Sequence, residues 1–153
     1  MAKTSISKAV QHMVAEKLRG DKWFLENRCD IIEQNEQQLA YLIRKKMSEF
    51  VGPVVVVAVD DIKNNHPAVE VSLTVNITEV VVINRDFGQF ASAIEVGEAV
   101  VSILDGVEWH FDELRHDTPG NGVLTCAVRF SGMVSRECED SAMDECQTEQ
   151  QEI

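Results

Sequence analysis

The sequence predicts an α+β domain: a mainly antiparallel four-stranded sheet with a long β-hairpin, packed against about three helices. Two observations carry that prediction. Between Val54 and Ile83 lie two strand patterns, Val54–Ile62 and Val69–Ile83, joined by the turn Lys63-Asn64-Asn65-His66-Pro67. In the second, Val69, Val71, Leu73, Val75 and Ile77 alternate with Glu70, Ser72, Thr74, Asn76 and Thr78. A strand sends successive side chains to opposite faces, so this period of two means one buried face and one wet face. Elsewhere, apolar residues recur at helical spacing in three separate stretches. The order is helix, helix, strand, strand, helix, strand, strand, followed by an acidic tail.

Taken in order, Ile6, Val10, Met13, Val14 and Leu18 form the stripe of a first helix, with Ser5 or Ser7 as N-cap and Gly20 as its stop. Asp21 to Ile32 places Trp23, Phe24 and Leu25 together before a short extended piece, Asp30-Ile31-Ile32. Three large apolar neighbours cannot all face inward, so they either plug the edge of their own core or meet another chain. Asn35 and Gln38 have capping-box spacing and predict a second helix starting near Asn35, with Leu39, Leu42, Ile43, Met47 and Phe50 as its stripe. Arg44, Lys45 and Lys46 near its end suit the helix dipole, although they are also available to a partner.

Gly52-Pro53 launches the hairpin. At ~3.3 Å per residue, Val69–Ile83 would span roughly 45 to 50 Å, long enough to project beyond so small a core. The run Val80-Val81-Val82-Ile83 breaks the alternation after Glu79 and predicts a bulge or a doubly buried strand end there. Phe87 and Phe90 follow on a polar loop. A Ser92-x-x-Glu95 capping box opens the third helix and Gly106 closes it. Trp109–Asp117 is a third strand, Thr118-Pro119-Gly120-Asn121-Gly122 a turn, and Val123–Val134 a fourth strand.

Domain organisation is read as one α+β domain over residues 1–134 and an acidic tail over 135–153. The tail holds seven carboxylates against Arg136 alone, half of the net charge of −12 carried by the 153 residues. That charge disfavours binding to nucleic-acid phosphates or to an anionic membrane surface. Apolar runs are too short to span a bilayer, and the N-terminus does not resemble a secretory signal, so cytoplasmic synthesis is expected. The four cysteines, Cys29, Cys126, Cys138 and Cys146, lack the spacing of a zinc site or a redox motif and are expected as reduced thiols.

Chemistry finds little to use. Asp60 and Asp61 are adjacent, so a strand would point them apart. Gly120-Asn121-Gly122 has the context of a hairpin and lacks that of a phosphate loop. The best metal candidate is His110, Asp112 and His116, which would share a face on a regular strand. Three polar residues on a wet strand face are common, and that is the preferred reading. His66 belongs to a turn and His12 to a helix. No catalytic residue, cofactor or metal is therefore expected.

Residues Ile6 to Val134 resemble the tail terminator, or tail completion, proteins of long-tailed bacteriophages. The resemblance lies in the two leading helices with Leu25-Glu26-Asn27-Arg28-Cys29-Asp30-Ile31-Ile32-Glu33 between them. It continues in the hairpin ending Val80-Val81-Val82-Ile83-Asn84-Arg85, and in the helix from Ser92 to Gly106. It implies a structural role without catalysis: a hexameric ring that caps the head-proximal end of the tail tube, stops its growth and joins the tail to the neck. The implied partners are further copies of the chain, the tube protein, neck or connector proteins, and the sheath as a further candidate. DNA would pass through the ring without specific binding, and the implied location is the virion tail or neck, after assembly in the host cytoplasm. Interface candidates are Trp23, Phe24, Asn64, Asn65, Phe87 and Phe90, with the polar row Glu70, Ser72, Thr74 and Asn76. Two alternatives stand beside this reading. One is another neck, tube or sheath-associated structural protein. The other is a small α+β enzyme or ligand-binding domain whose site forms between subunits.

Overall fold

In a computed structural model, which describes residues 5–27, 29–49, 53–80, 91–120 and 122–135, the fold is α+β, and the described residues form a mixed five-stranded sheet and four helices. In chain order these are α1 (Ile6–Arg19), α2 (Lys22–Asn27), β1 (Asp30–Glu33), α3 (Leu39–Glu49), β2 (Val54–Asn65), β3 (Ala68–Val80), α4 (Ala93–Leu104), β4 (His110–Gly120) and β5 (Val123–Ser135). The strands lie in the order β1-β2-β3-β5-β4, with β1 parallel to β2 and the other neighbours antiparallel.

The expectation of four antiparallel strands and three helices is thus one strand and one helix short. The stretch from Asp21, for which the sequence predicts only a short extended end, contains both missing elements, α2 and β1. Four residues of β1 are too few to show a periodicity, and their partner, Val54–Val57, lies far along the chain. What holds β1 is polar. Arg19 Nη2 donates to the Ile31 carbonyl at 2.8 Å, and Nη1 reaches Glu33 Oε2 at 3.1 Å. His12 Nδ1 lies 3.2 Å from the same carboxylate. Beside them, the buried Gln11 amide donates to Gln34 Oε1 at 3.2 Å and accepts from the Asn35 N–H at 2.8 Å. Gln34 Oε1 in turn accepts from the Val59 N–H, so α1, the turn after β1 and β2 form one network.

The same network explains why α3 starts at Leu39 and not near Asn35. The Asn35 N–H is committed to Gln11, and Gln38 takes a left-handed φ of 58°, so residues 34–38 form turns. The Ser92/Glu95 capping box at α4 is complete, with both reciprocal bonds made. Ser5 is the N-cap of α1 and Gly20 its C-cap. Helix α4 ends at Leu104 with Asp105 as C-cap, and Gly106 lies beyond, donating its N–H to the Trp109 carbonyl at 2.9 Å.

The hairpin forms between the two expected strands, with a tighter turn at His66-Pro67, across a cis peptide bond. Its bulge falls at Asp60, between the pairs Val59–Leu73 and Asp61–Ser72. The expected irregularity at residues 80–83 lies outside the described residues beyond Val80. Nor does the β3 arm leave the sheet. It pairs with β5 along its whole length, from Ala68–Ser135 to Val80–Val123. The β2 arm does become exposed from Asp60 to Asn65. Strand β4 runs on to Gly120, so Thr118, Pro119 and Gly120 of the expected five-residue turn belong to a strand, and Gly122 takes a left-handed φ of 72°.

The main core lies on one face of the sheet. Val55 and Val57 of β2, the row Val69 to Ile77 of β3, and Cys126, Val128, Phe130 and Val134 of β5 are buried there under α1 and α4. Gly97 lets α4 approach the sheet closely: a Cβ on it would come within 2.7 Å of Cys126 Sγ and 3.3 Å of Leu114. At the far end, Trp109 lies over Gly132, where a Cβ would meet its ring at 2.7 Å. On the opposite face Ile32, Val54 and Ala58 are also buried, marking where α3 covers β2.

Candidate interaction surface

The remaining part of that opposite face, on β3, β5 and β4, is polar and largely open. Alternation puts Glu70, Ser72, Thr74, Asn76 and Thr78 there from β3, beside Thr125, Ala127, Arg129, Ser131 and Met133 from β5. His110, Glu113, Arg115 and Asp117 follow from β4. Asn76, Arg129, Arg115 and Met133 are exposed, and most of the others are half-buried. Glu113 links the β4 and β5 rows, 3.2 Å from Arg115 and 4.0 Å from Arg129. These are exposed pairs that stabilise by a few tenths of a kcal/mol to about 1 kcal/mol at most.

Within the predicted wet row, Thr74 is an exception. It is only 5% exposed, and its hydroxyl donates to the Asp60 carboxylate. The Asp60 bulge is what brings that carboxylate back across the strand. Asn64 and Asn65 sit exposed at the hairpin tip, with Asn65 Nδ2 3.6 Å from Met133 Sδ. Glu70 and Ser72 are half-buried.

The aromatic candidates divide. Phe24 is 3% exposed and belongs to the chain's own core, which removes it from the available surface. Trp23 is half-buried and meets Phe24 edge-on, with ring centroids 5.0 Å apart. Burying Phe24 leaves Trp23 on the rim and Leu25 66% exposed, so of the three apolar neighbours one faces inward. Phe87 and Phe90 lie outside the described residues.

The His110, Asp112 and His116 set does not assemble. A second bulge, between Phe111 and Glu113, makes Asp112 the extra residue and reverses the alternation beyond it. His110 pairs with Ser131 on the open face, whereas His116 pairs with Cys126 on the core side. Asp112 instead lies 3.6 Å from His110 and accepts from Ser131 Oγ at 3.3 Å. Among the described residues no group of three or more His, Cys, Asp and Glu side chains is placed to hold a metal ion. Burial pushes the Cys29 thiol up to about 12, with Asp30 adding to the effect, and raises Cys126 as well, with help from Glu98. Both are poor nucleophiles.

One functional-looking residue escaped the sequence reading. Glu79 continues the inward row of β3 after Ile77, is 4% exposed, and accepts the Ala93 N–H at 3.0 Å. Its carboxylate satisfies a donor in the first turn of α4, where the helix dipole favours negative charge. The signal was a single acid in the apolar register of a strand.

A groove of about 740 Å³ opens between the end of α1, α2 and α4. It is lined by the apolar Trp23, Ala99 and Ile103 and by the polar Lys17, Asp21, Glu95, Glu98 and Ser102. No helix among the described residues is long and apolar enough to cross a membrane. The chain matches no protein-family model and shows no significant match to the curated proteins.

Proposed function

We propose that this chain is a structural virion protein of a long-tailed bacteriophage. It forms a ring at the head-proximal end of the tail tube, ends tube growth and joins the tail to the neck. The observation that carries the proposal is the half-covered sheet. One face of β3, β5 and β4 builds the core, and the other presents an open, mainly polar field of Asn76, Arg115 and Arg129, with the apolar Met133 among them. A flat field of this kind suits a large partner surface, since small molecules bind in concave, mostly apolar sites. The resemblance of residues 6–134 to tail terminator proteins supplies the partners: copies of the same chain, the tube protein, and neck or connector proteins.

Ring closure needs heterologous contact, one surface of each copy meeting a different surface of the next. At −12 per chain, free copies repel one another at low salt, and the repulsion is screened beyond about 10 Å at 0.1 M. The tube therefore acts as template, and free association is weak. The test mixes the protein with growing tubes of its own tube protein and images their ends. Rings at one end, with elongation arrested there, are the expected result. Tubes that grow on with bare tips would refute it. A substrate-induced rise in melting temperature would favour the enzyme or ligand-binding reading instead.

A further inference from the structure

We infer that the groove between α2 and α4 is a docking site for the basic face of α3 of a second copy of this chain. Three of the 14 basic residues in the sequence are consecutive, Arg44-Lys45-Lys46, and they lie on α3. Within that helix Tyr41, Arg44 and Lys45 are exposed, at i, i+3 and i+4, which places an aromatic ring and two cations on one face. The groove presents the complement. Its lining has three carboxylates, Asp21, Glu95 and Glu98, against one ammonium, Lys17, together with the apolar Trp23, Ala99 and Ile103. An exposed tyrosine is suited to the apolar lining, and the Arg44 guanidinium to the carboxylates.

The contact must be between copies. Helix α3 covers β2 on one side of the sheet, whereas α1 and α4, which form the groove, cover the other. The two surfaces are different, so the contact is heterologous, the kind that closes a ring. This inference rests on the assembly reading in that its occupant is a second copy. It does not depend on the tube, because the lateral contact is distinct from the open sheet face.

The experiment measures self-association by sedimentation velocity at high protein concentration and low salt, for wild type, Glu98→Lys and Arg44→Glu. Both positions are exposed on helix surfaces, and neither anchors a helix cap. Each variant should weaken association roughly tenfold. The Glu98→Lys result is the sharper one, because that change lowers the net negative charge and would strengthen association if general repulsion alone governed it. An equimolar mixture of the two variants should regain much of the lost affinity, since the groove of one then meets the helix of the other with charges exchanged. Association of Glu98→Lys equal to or tighter than wild type would overturn the inference. So would a mixture no tighter than its components, or a wild type that stays monomeric throughout. If the charge exchange works but tubes are never capped, the groove contact stands and the tail reading fails.

Discussion

The two faces of the central strand β3 share one backbone and differ in what they meet. Inward, Val69, Val71, Leu73, Val75 and Ile77 are all at most 4% exposed beneath α1 and α4. Outward, Glu70, Ser72, Asn76 and Thr78 keep part or all of their exposure, and only Thr74 is buried. Stability therefore belongs to one face, and the other is left available for contact. The exception shows how the outward face is joined to the fold: a one-residue bulge turns Asp60 towards Thr74 and converts a surface position into a hydrogen-bonded one.

The largest expected effect is on the inward face. Leu73→Ala removes a fully buried side chain and should cost about 2 to 5 kcal/mol in denaturant unfolding. A loss as small as that of Ser72→Ala, expected within about 0.5 kcal/mol, would break the comparison. Thr74→Ala should fall between them, at about 1 kcal/mol, because a buried hydroxyl and its bond to the exposed Asp60 carboxylate are lost. Next in size is Gly97→Val, which forces side-chain atoms into Cys126 and Leu114 and should cost about 1 to 3 kcal/mol. Thermal melts would report it, and an unchanged melting temperature would mean that α4 does not sit as closely on the sheet as described. Glu79→Ala leaves the Ala93 N–H without its acceptor and should cost about 1 to 3 kcal/mol, with Glu79→Gln recovering part of the loss.

Much of this was legible because it is local or periodic. The hairpin, the inward row of β3 and the Ser92/Glu95 cap each rest on residues close in sequence. What was missed depends on residues far apart. Strand β1 is fixed by Arg19, His12 and Val54–Val57, and the Asn35 cap fails because Gln11, 24 residues away, takes its N–H. Bulges were the other gap. A single extra residue at Asp112 separates His110 from His116, and nothing in the local alternation announces it. In the outward row of β3, Glu70, Ser72, Asn76 and Thr78 keep the exposure that the alternation predicts and Thr74 does not, whereas the burial of Phe24 beside a half-buried Trp23 could not be told from three apolar letters in a row.

A smaller effect sharpens the same contrast through the thiols. With Cys29 pushed up to about 12 by burial and Asp30, its thiolate is a minor species at pH 8, and the raised Cys126 behaves alike. A raised thiol pKa favours the neutral form in the folded chain, so the associated stability holds below the unfolded value and fades as pH rises towards the folded one. In a Cys138→Ser, Cys146→Ser background, alkylation at pH 8 should be slow in the native protein and fast in urea. Equal rates would show that neither thiol is shielded.

The division between a stabilising face and a contacting face is tested most directly by oxidising the methionines with and without assembly. Met133 stands half-exposed on the open face, whereas Met13 of α1 packs against the core. In the free protein Met133 should oxidise faster than Met13. On capped tube ends its rate should fall several-fold while that of Met13 holds, because the open face is then covered by the tube or a neighbouring copy. Unchanged oxidation of Met133 in the capped state would contradict the account.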